Sequence, residues 1–89
     1  VTKYLAIVEK GENNYSAFSP DVSGCAATGR TVEETLANMK DALEFHLKGM
    51  AESGEQIPQP KDLSYYPAQI SVGDIIAHVS VAAPEAVFA

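Results

Sequence analysis

The sequence predicts an α+β domain of β-β-β-α-β order: an antiparallel β-sheet of three to four strands with one packed α-helix. Three observations carry this. Two β-rich runs flank a turn cluster near the start, a long stretch of helical period fills the middle, and an apolar run of strand character comes near the end. With 89 residues the chain is expected to form one domain, residues 1–89, around a modest core.

The first run, "TKYLAIVEK" (Thr2 to Lys10), places Leu5 and Ile7 on one face and Tyr4, Ala6 and Val8 on the other. Both faces are apolar, so something is expected to cover each. "GENN" (Gly11 to Asn14) is a turn cluster, and "YSAFS" (Tyr15 to Ser19) returns as the second strand of a hairpin. Pro20 offers no amide hydrogen and ends that strand, and the Asp21 carboxylate is expected to fold back onto a nearby amide. Gly24 then permits a turn or bulge before a short third strand, "CAATG" (Cys25 to Gly29), whose small residues indicate close packing.

Thr31 and Glu34 form a reciprocal cap, so a helix is expected from about Val32. At about 100° per residue, Val32, Leu36, Met39, Leu43, Leu47 and Met50 fall on one side and form the core stripe. Gly54 stops the helix and "IPQP" (Ile57 to Pro60) forbids its restart. Phe45 lies at about 180° from the stripe, with Ala42 and Gly49 on neighbouring turns. A large ring there serves no packing within one monomer. Phe45, Ala42, Gly49, the helix acids Asp41 and Glu52, and Asp21 are therefore the candidate partner-binding residues.

Pro67 interrupts "KDLSYYPAQI", and Tyr65 with Tyr66 is expected to pack over the helix or at a subunit boundary. "IIAHVSVA" (Ile75 to Ala82) is the last strand, with Ile75, Ala77, Val79 and Val81 on one side and Ile76, His78, Ser80 and Ala82 on the other. Because both faces of the first strand are apolar and Phe45 faces outward, the chain is expected to form a homodimer or higher oligomer, with Val87 and Phe88 of the tail as further contacts.

Twelve acids against six scattered bases give a formal charge of −6. Such a chain is a poor partner for phosphate and a good one for a basic protein. The lone Cys25 makes no internal disulfide, no His/Cys spacing suggests zinc, and no apolar run approaches the ~20 residues of a membrane span. A cytoplasmic protein with no direct nucleic-acid or membrane contact is expected.

Catalysis finds little support. Asp21 near Cys25 lacks a local cation or His to activate the thiol, and a buried structural Cys is the ordinary role. Glu33 and Glu34 point about 100° apart and suit the helix dipole. Glu9 and Asp21 are too few for a two-metal carboxylate site. His46 is placed at the edge of the core stripe, and His78 in a paired or half-buried strand position. No enzyme, cofactor or metal is expected.

The order of these features resembles the HicB-like antitoxin family. There a "Y-x-A-x-x-P-D-x-x-G-C" segment leads into a "G-x-T-x-E-E" helix start and a "G-x-x-I-P-x-P" exit. Tyr15, Ala17, Pro20, Asp21, Gly24, Cys25, Gly29, Thr31, Glu33, Glu34, Gly54, Ile57, Pro58 and Pro60 match it, within a stretch from Tyr4 to Pro60. The resemblance implies a partial ribonuclease-H-like sheet without nuclease residues. It also implies a function: binding a small, basic HicA-like toxin that cleaves messenger RNA, and covering its active site. Many family members append a DNA-binding domain, and this chain is expected to lack one. The alternative is an orphan oligomeric scaffold of the same fold with no toxin. On either reading, Pro20, Gly24, Cys25, Gly29, Thr31 and Glu34 are structural: Pro20 ends a strand, the two glycines turn the chain, Cys25 fills a small space, and Thr31 with Glu34 starts the helix.

Overall fold

A computed structural model describes residues 2–82, which follow the expected order with two 3-10 turns added before the last strand. The strands β1 (Thr2–Lys10), β2 (Tyr15–Phe18), β3 (Ala26–Gly29) and β4 (Ile75–Val81) form one antiparallel sheet of order β3-β2-β1-β4, and helix α1 is Val32–Glu52. β1 pairs with β4 in unbroken register from Thr2↔Val81 to Val8↔Ile75.

Both faces of β1 are covered from within the chain. On one face Tyr4, Ala6 and Val8 join Ala17, Val79 and Val81 beneath Met39, Leu43 and Leu47 of α1 in a buried cluster. On the other, Leu5 and Ile7 are also buried. The return segment 59–70, with 3-10 turns at Leu63–Tyr65 and Pro67–Gln69, lies on this side, sharing one depression with Lys3 and His78 and another with Phe18 and Ala26. Each Leu or Ile so buried contributes about 1.5–3 kcal/mol. The apolar faces of β1 therefore give no ground for self-association, contrary to the sequence argument.

The helix boundaries follow from capping. Thr31 is extended, its hydroxyl accepts from the Glu34 amide at 3.0 Å, and Glu34 Oε1 accepts from the Arg30 amide at 3.2 Å, one residue before the cap. At the other end Gly54 takes φ +74°, and the Glu55 and Gly54 amides close onto the Met50 and Ala51 carbonyls at 2.9 and 3.1 Å. Ile57 then turns into the core, and the Pro58 carbonyl accepts from the buried Tyr4 phenol at 2.6 Å.

Several expectations need correction. The fully buried line of α1 is Thr35, Met39, Leu43 and Leu47, whereas Val32, Leu36 and Met50 are half-buried. Thr35 is tolerated inside because its hydroxyl donates to the Thr31 carbonyl at 2.7 Å. β3 begins at Ala26, not Cys25, because Cys25 closes the preceding turn: its amide donates to the Val22 carbonyl and its carbonyl accepts from the Ser19 amide. β4 ends at Val81 because the Ala82 amide is taken by Glu44 Oε2 at 2.8 Å. Gly24 has the positive φ of +81° that a turn glycine needs, but Gly29 does not. A Cβ on Gly29 would stand 2.6 Å from the Thr35 amide nitrogen, so glycine there admits the helix against β3. His78 pairs with Leu5 in register yet is exposed. Val87 and Phe88 lie outside the described residues.

Candidate functional site

Asp41, Phe45, Lys48 and Glu52 fall at i, i+4, i+7 and i+11 along α1, and all four are exposed, so one helix face is left to solvent. Phe45 is 82% exposed, the most exposed aromatic ring among the described large apolar residues. It separates two hollows. Between the C-terminal half of α1, the Asp21–Ser23 turn and the Glu55–Pro58 exit lies a groove of about 600 Å³ lined by Asp21, Phe45, His46, Gly49, Met50 and Glu55, among others. On its other flank, Phe45, Lys48, Gly49 and Glu52 line a depression of about 260 Å³.

Gly49 belongs to both hollows. A Cβ there would meet nothing within 4 Å and its φ is not positive, so the fold does not require glycine. Glycine inside a helix costs about 1 kcal/mol relative to alanine. What glycine provides here is an open floor beside the Phe45 ring. Ala42, by contrast, is half-buried and packs against the core cluster. The structure thus gathers Phe45, Gly49, Asp21 and Glu52 around the two hollows, leaves Asp41 exposed one turn away, and turns Ala42 inward.

The Asp21 carboxylate was expected to bond locally; it reaches across the fold instead. Its Oδ1 accepts from the Lys61 amide at 3.1 Å and the Tyr66 phenol at 2.7 Å, pinning the return segment to the β2–β3 turn. Its Oδ2 is buried and has no partner among the described residues. The Tyr66 phenol is pushed up to about 12, first by burial, then by the hydrogen bond and charge of Asp21, with Tyr65 contributing least. Burial also raises the Tyr4 phenol, with the Asp21 charge adding to it. Tyr65 and Tyr66 meet edge to face at 5.3 Å, and the Lys61 ammonium sits 5.0 Å from the Tyr65 ring. Tyr65 shares its depression with Lys3 and His78, so the pair packs over the helix-free sheet face and not over α1.

Two residues that sequence reasoning missed complete the frame. Glu44 bonds the Ala82 amide and pairs with Lys40 at 3.4 Å; these contacts, the Ala82 amide first, hold its carboxyl below the usual range. Tyr66, expected only to pack with Tyr65, holds Asp21 through its phenol, a bond between residues 45 positions apart that no local pattern announces.

Cys25 is buried and free, and burial pushes its thiol up, away from the reactive thiolate. It lines a different depression from the one that holds His46. Among the described residues, no three of His, Cys, Asp and Glu gather as a metal site, and no helix is long and apolar enough to cross a membrane. What the outer side of α1 presents is one exposed aromatic ring, an open helix floor and carboxylates around them.

Comparison with known proteins places this face in context. The chain matches the family described as "HicB_like antitoxin of bacterial toxin-antitoxin system" over residues 4–87. A 14.9 kDa protein from the rep-hol intergenic region of Haemophilus phage HP1 is 36% identical over 76 residues, covering 85% of this chain and 57% of that protein. A UPF0150 protein of Helicobacter pylori is 48% identical over 42 residues, covering 47% of this chain and 58% of that protein. The chain therefore matches less than two thirds of the length of either relative. A chain in the solved HicA3 and HicB3 toxin-antitoxin complex is similar with a TM-score of 0.74 at 25% identity, covering 91% of this chain and 99% of that one. With 84 consecutive residues matched and the sheet, helix and capping turns in place, the chain belongs to the HicB-like antitoxin family of bacterial toxin-antitoxin systems.

Proposed function

We propose that this chain is an antitoxin that binds a small, basic HicA-like toxin in the cytoplasm and neutralises it by covering the surface with which the toxin cleaves messenger RNA. The family is a non-catalytic one, and the action needed is occupancy. The observation that carries the reading is the Phe45 ring, 82% exposed on the outer face of α1 with Gly49 open beside it. An aromatic ring entering a partner's pocket is the usual energetic centre of a protein interface. Asp41, Glu52 and Glu55 are exposed around it and Asp21 is half-buried at the groove. A chain of formal charge −6 steers a basic partner to such a face and repels RNA.

The test is co-expression of the tagged chain with the small open reading frames that flank its gene. A basic toxin-like protein retained at stoichiometric level, with its RNA cleavage suppressed, supports the proposal. Nothing retained, or a retained toxin that still cleaves RNA, overturns it and favours the oligomeric scaffold.

A further inference from the structure

Phe45 divides the outer face of α1 into two flanks of different charge. On one, the smaller hollow is lined by Lys48 as well as Glu52, so it carries its own cation. On the other, the groove of about 600 Å³ is lined by Asp21 and Glu55 and by no Lys or Arg. Neither of these carboxylates forms an ion pair among the described residues, in contrast to Glu44 with Lys40. Asp21 Oδ2 is also buried without a donor among the described residues, although buried carboxylate oxygens normally have one.

The end of the helix adds to this field. Gly49, Met50 and the cap residue Ser53 line the groove, so the C-terminal end of α1 borders it. That end bears the negative pole of the helix dipole, which a basic residue in the last turn would oppose. The last turn of α1 has no basic residue. Two unpaired carboxylates and a helix C-terminus therefore meet at one hollow, where the one nitrogen-bearing side chain is that of the half-buried His46.

We propose that this groove is a socket for an arginine side chain of the toxin, an inference that rests on the antitoxin reading. The unpaired negative charge selects a cation. The apolar part of the lining selects arginine over lysine, because the exposed Phe45 ring and Met50 stand beside the acids. A guanidinium stacks on an aromatic face and gives two parallel hydrogen bonds to a carboxylate, whereas an ammonium acts as a point charge. The difference between the flanks also sets the orientation of the toxin: its arginine enters on the side of Asp21 and Glu55, and Lys48 repels a cation from the other side.

Two titrations test the socket and the antitoxin reading separately. In the first, N-acetyl-arginine amide is added to the full chain to about 50 mM and followed by NMR. The Gly49, Met50 and Glu55 resonances are expected to shift and saturate, and the neutral isostere N-acetyl-citrulline amide is expected to leave them nearly unmoved. In the second, the chain is titrated with the HicA-like protein retained on co-expression. Glu55→Gln is expected to weaken binding about tenfold and to flatten its dependence on salt. Glu12→Gln makes the same change in net charge at an exposed acid that lines neither hollow beside Phe45, and is expected to alter neither. Equal shifts with arginine and citrulline, no shift at the groove, or a Glu55→Gln chain that binds the toxin as tightly as wild type at every salt overturns the socket, even where the toxin is retained. Groove shifts with arginine in a chain that retains no toxin overturn the antitoxin reading and uphold the groove as an arginine site.

Discussion

Replacing Asp21 by alanine removes one oxygen that holds two distant parts of the chain together. Oδ1 accepts from the half-buried Tyr66 phenol at 2.7 Å and from the exposed Lys61 amide at 3.1 Å. A partly buried hydrogen bond to a carboxylate contributes about 1.5–3 kcal/mol, and an exposed one about 0.5–1 kcal/mol. Asp21→Ala should therefore cost about 2–4 kcal/mol, a large share of the total stability of on the order of 10 kcal/mol expected for a domain of this size. Tyr66→Phe should cost about 1.5–3 kcal/mol, and the double variant little more than Asp21→Ala alone, because both remove the same bond. Urea melts of the four proteins measure this cycle. Hydrogen exchange supplies the local readout: the Lys61 amide should lose protection in Asp21→Ala before α1 does. An Asp21→Ala melt within about 0.5 kcal/mol of wild type, or strict additivity in the cycle, refutes the clamp.

Gly29→Ala places a Cβ 2.6 Å from the Thr35 nitrogen and hydroxyl and should cost about 1–3 kcal/mol in a urea melt. Gly24→Val meets no atom within 4 Å but takes a β-branched residue to φ +81°, so it should cost about 1–2 kcal/mol from backbone strain alone, and an unchanged melt contradicts that. The raised Tyr66 phenol favours the protonated folded state. Its contribution is complete below about pH 10 and is lost as pH climbs toward about 12; in Tyr66→Phe that part of the alkaline destabilisation should be absent. Gly49→Ala should raise stability by up to about 1 kcal/mol in thermal melts while weakening toxin binding, since it fills the floor beside Phe45.

The helix was legible because its signals are local: Thr31 and Glu34 lie three residues apart, Gly54 marks the end, and Phe45 stands opposite the apolar stripe. The hairpin and β4 were legible from alternation. What stayed hidden depends on residues far apart in the chain. Asp21 is separated from Lys61 by 40 positions and from Tyr66 by 45, so no turn rule could find the bond. Thr35 reads as polar on a helical wheel, although its hydroxyl is satisfied within the helix. Leu5 and Ile7 are buried on the side where the return segment lies, and that segment has neither helical nor strand period, so the face read as free and became an argument for oligomers. On the outer face of α1, the exposure of Phe45 was readable, whereas the inward turn of Ala42 and the two hollows required the packed helix.

The central claim is that Phe45 anchors a basic toxin on the outer face of α1. Isothermal titration of wild-type chain and Phe45→Ala against the HicA-like protein retained in the co-expression experiment tests it most directly. The account predicts a tight stoichiometric complex for wild type and a dissociation constant raised about 30-fold or more by Phe45→Ala, with unchanged thermal melts because the ring is 82% exposed. Equal affinities for the two proteins would contradict it.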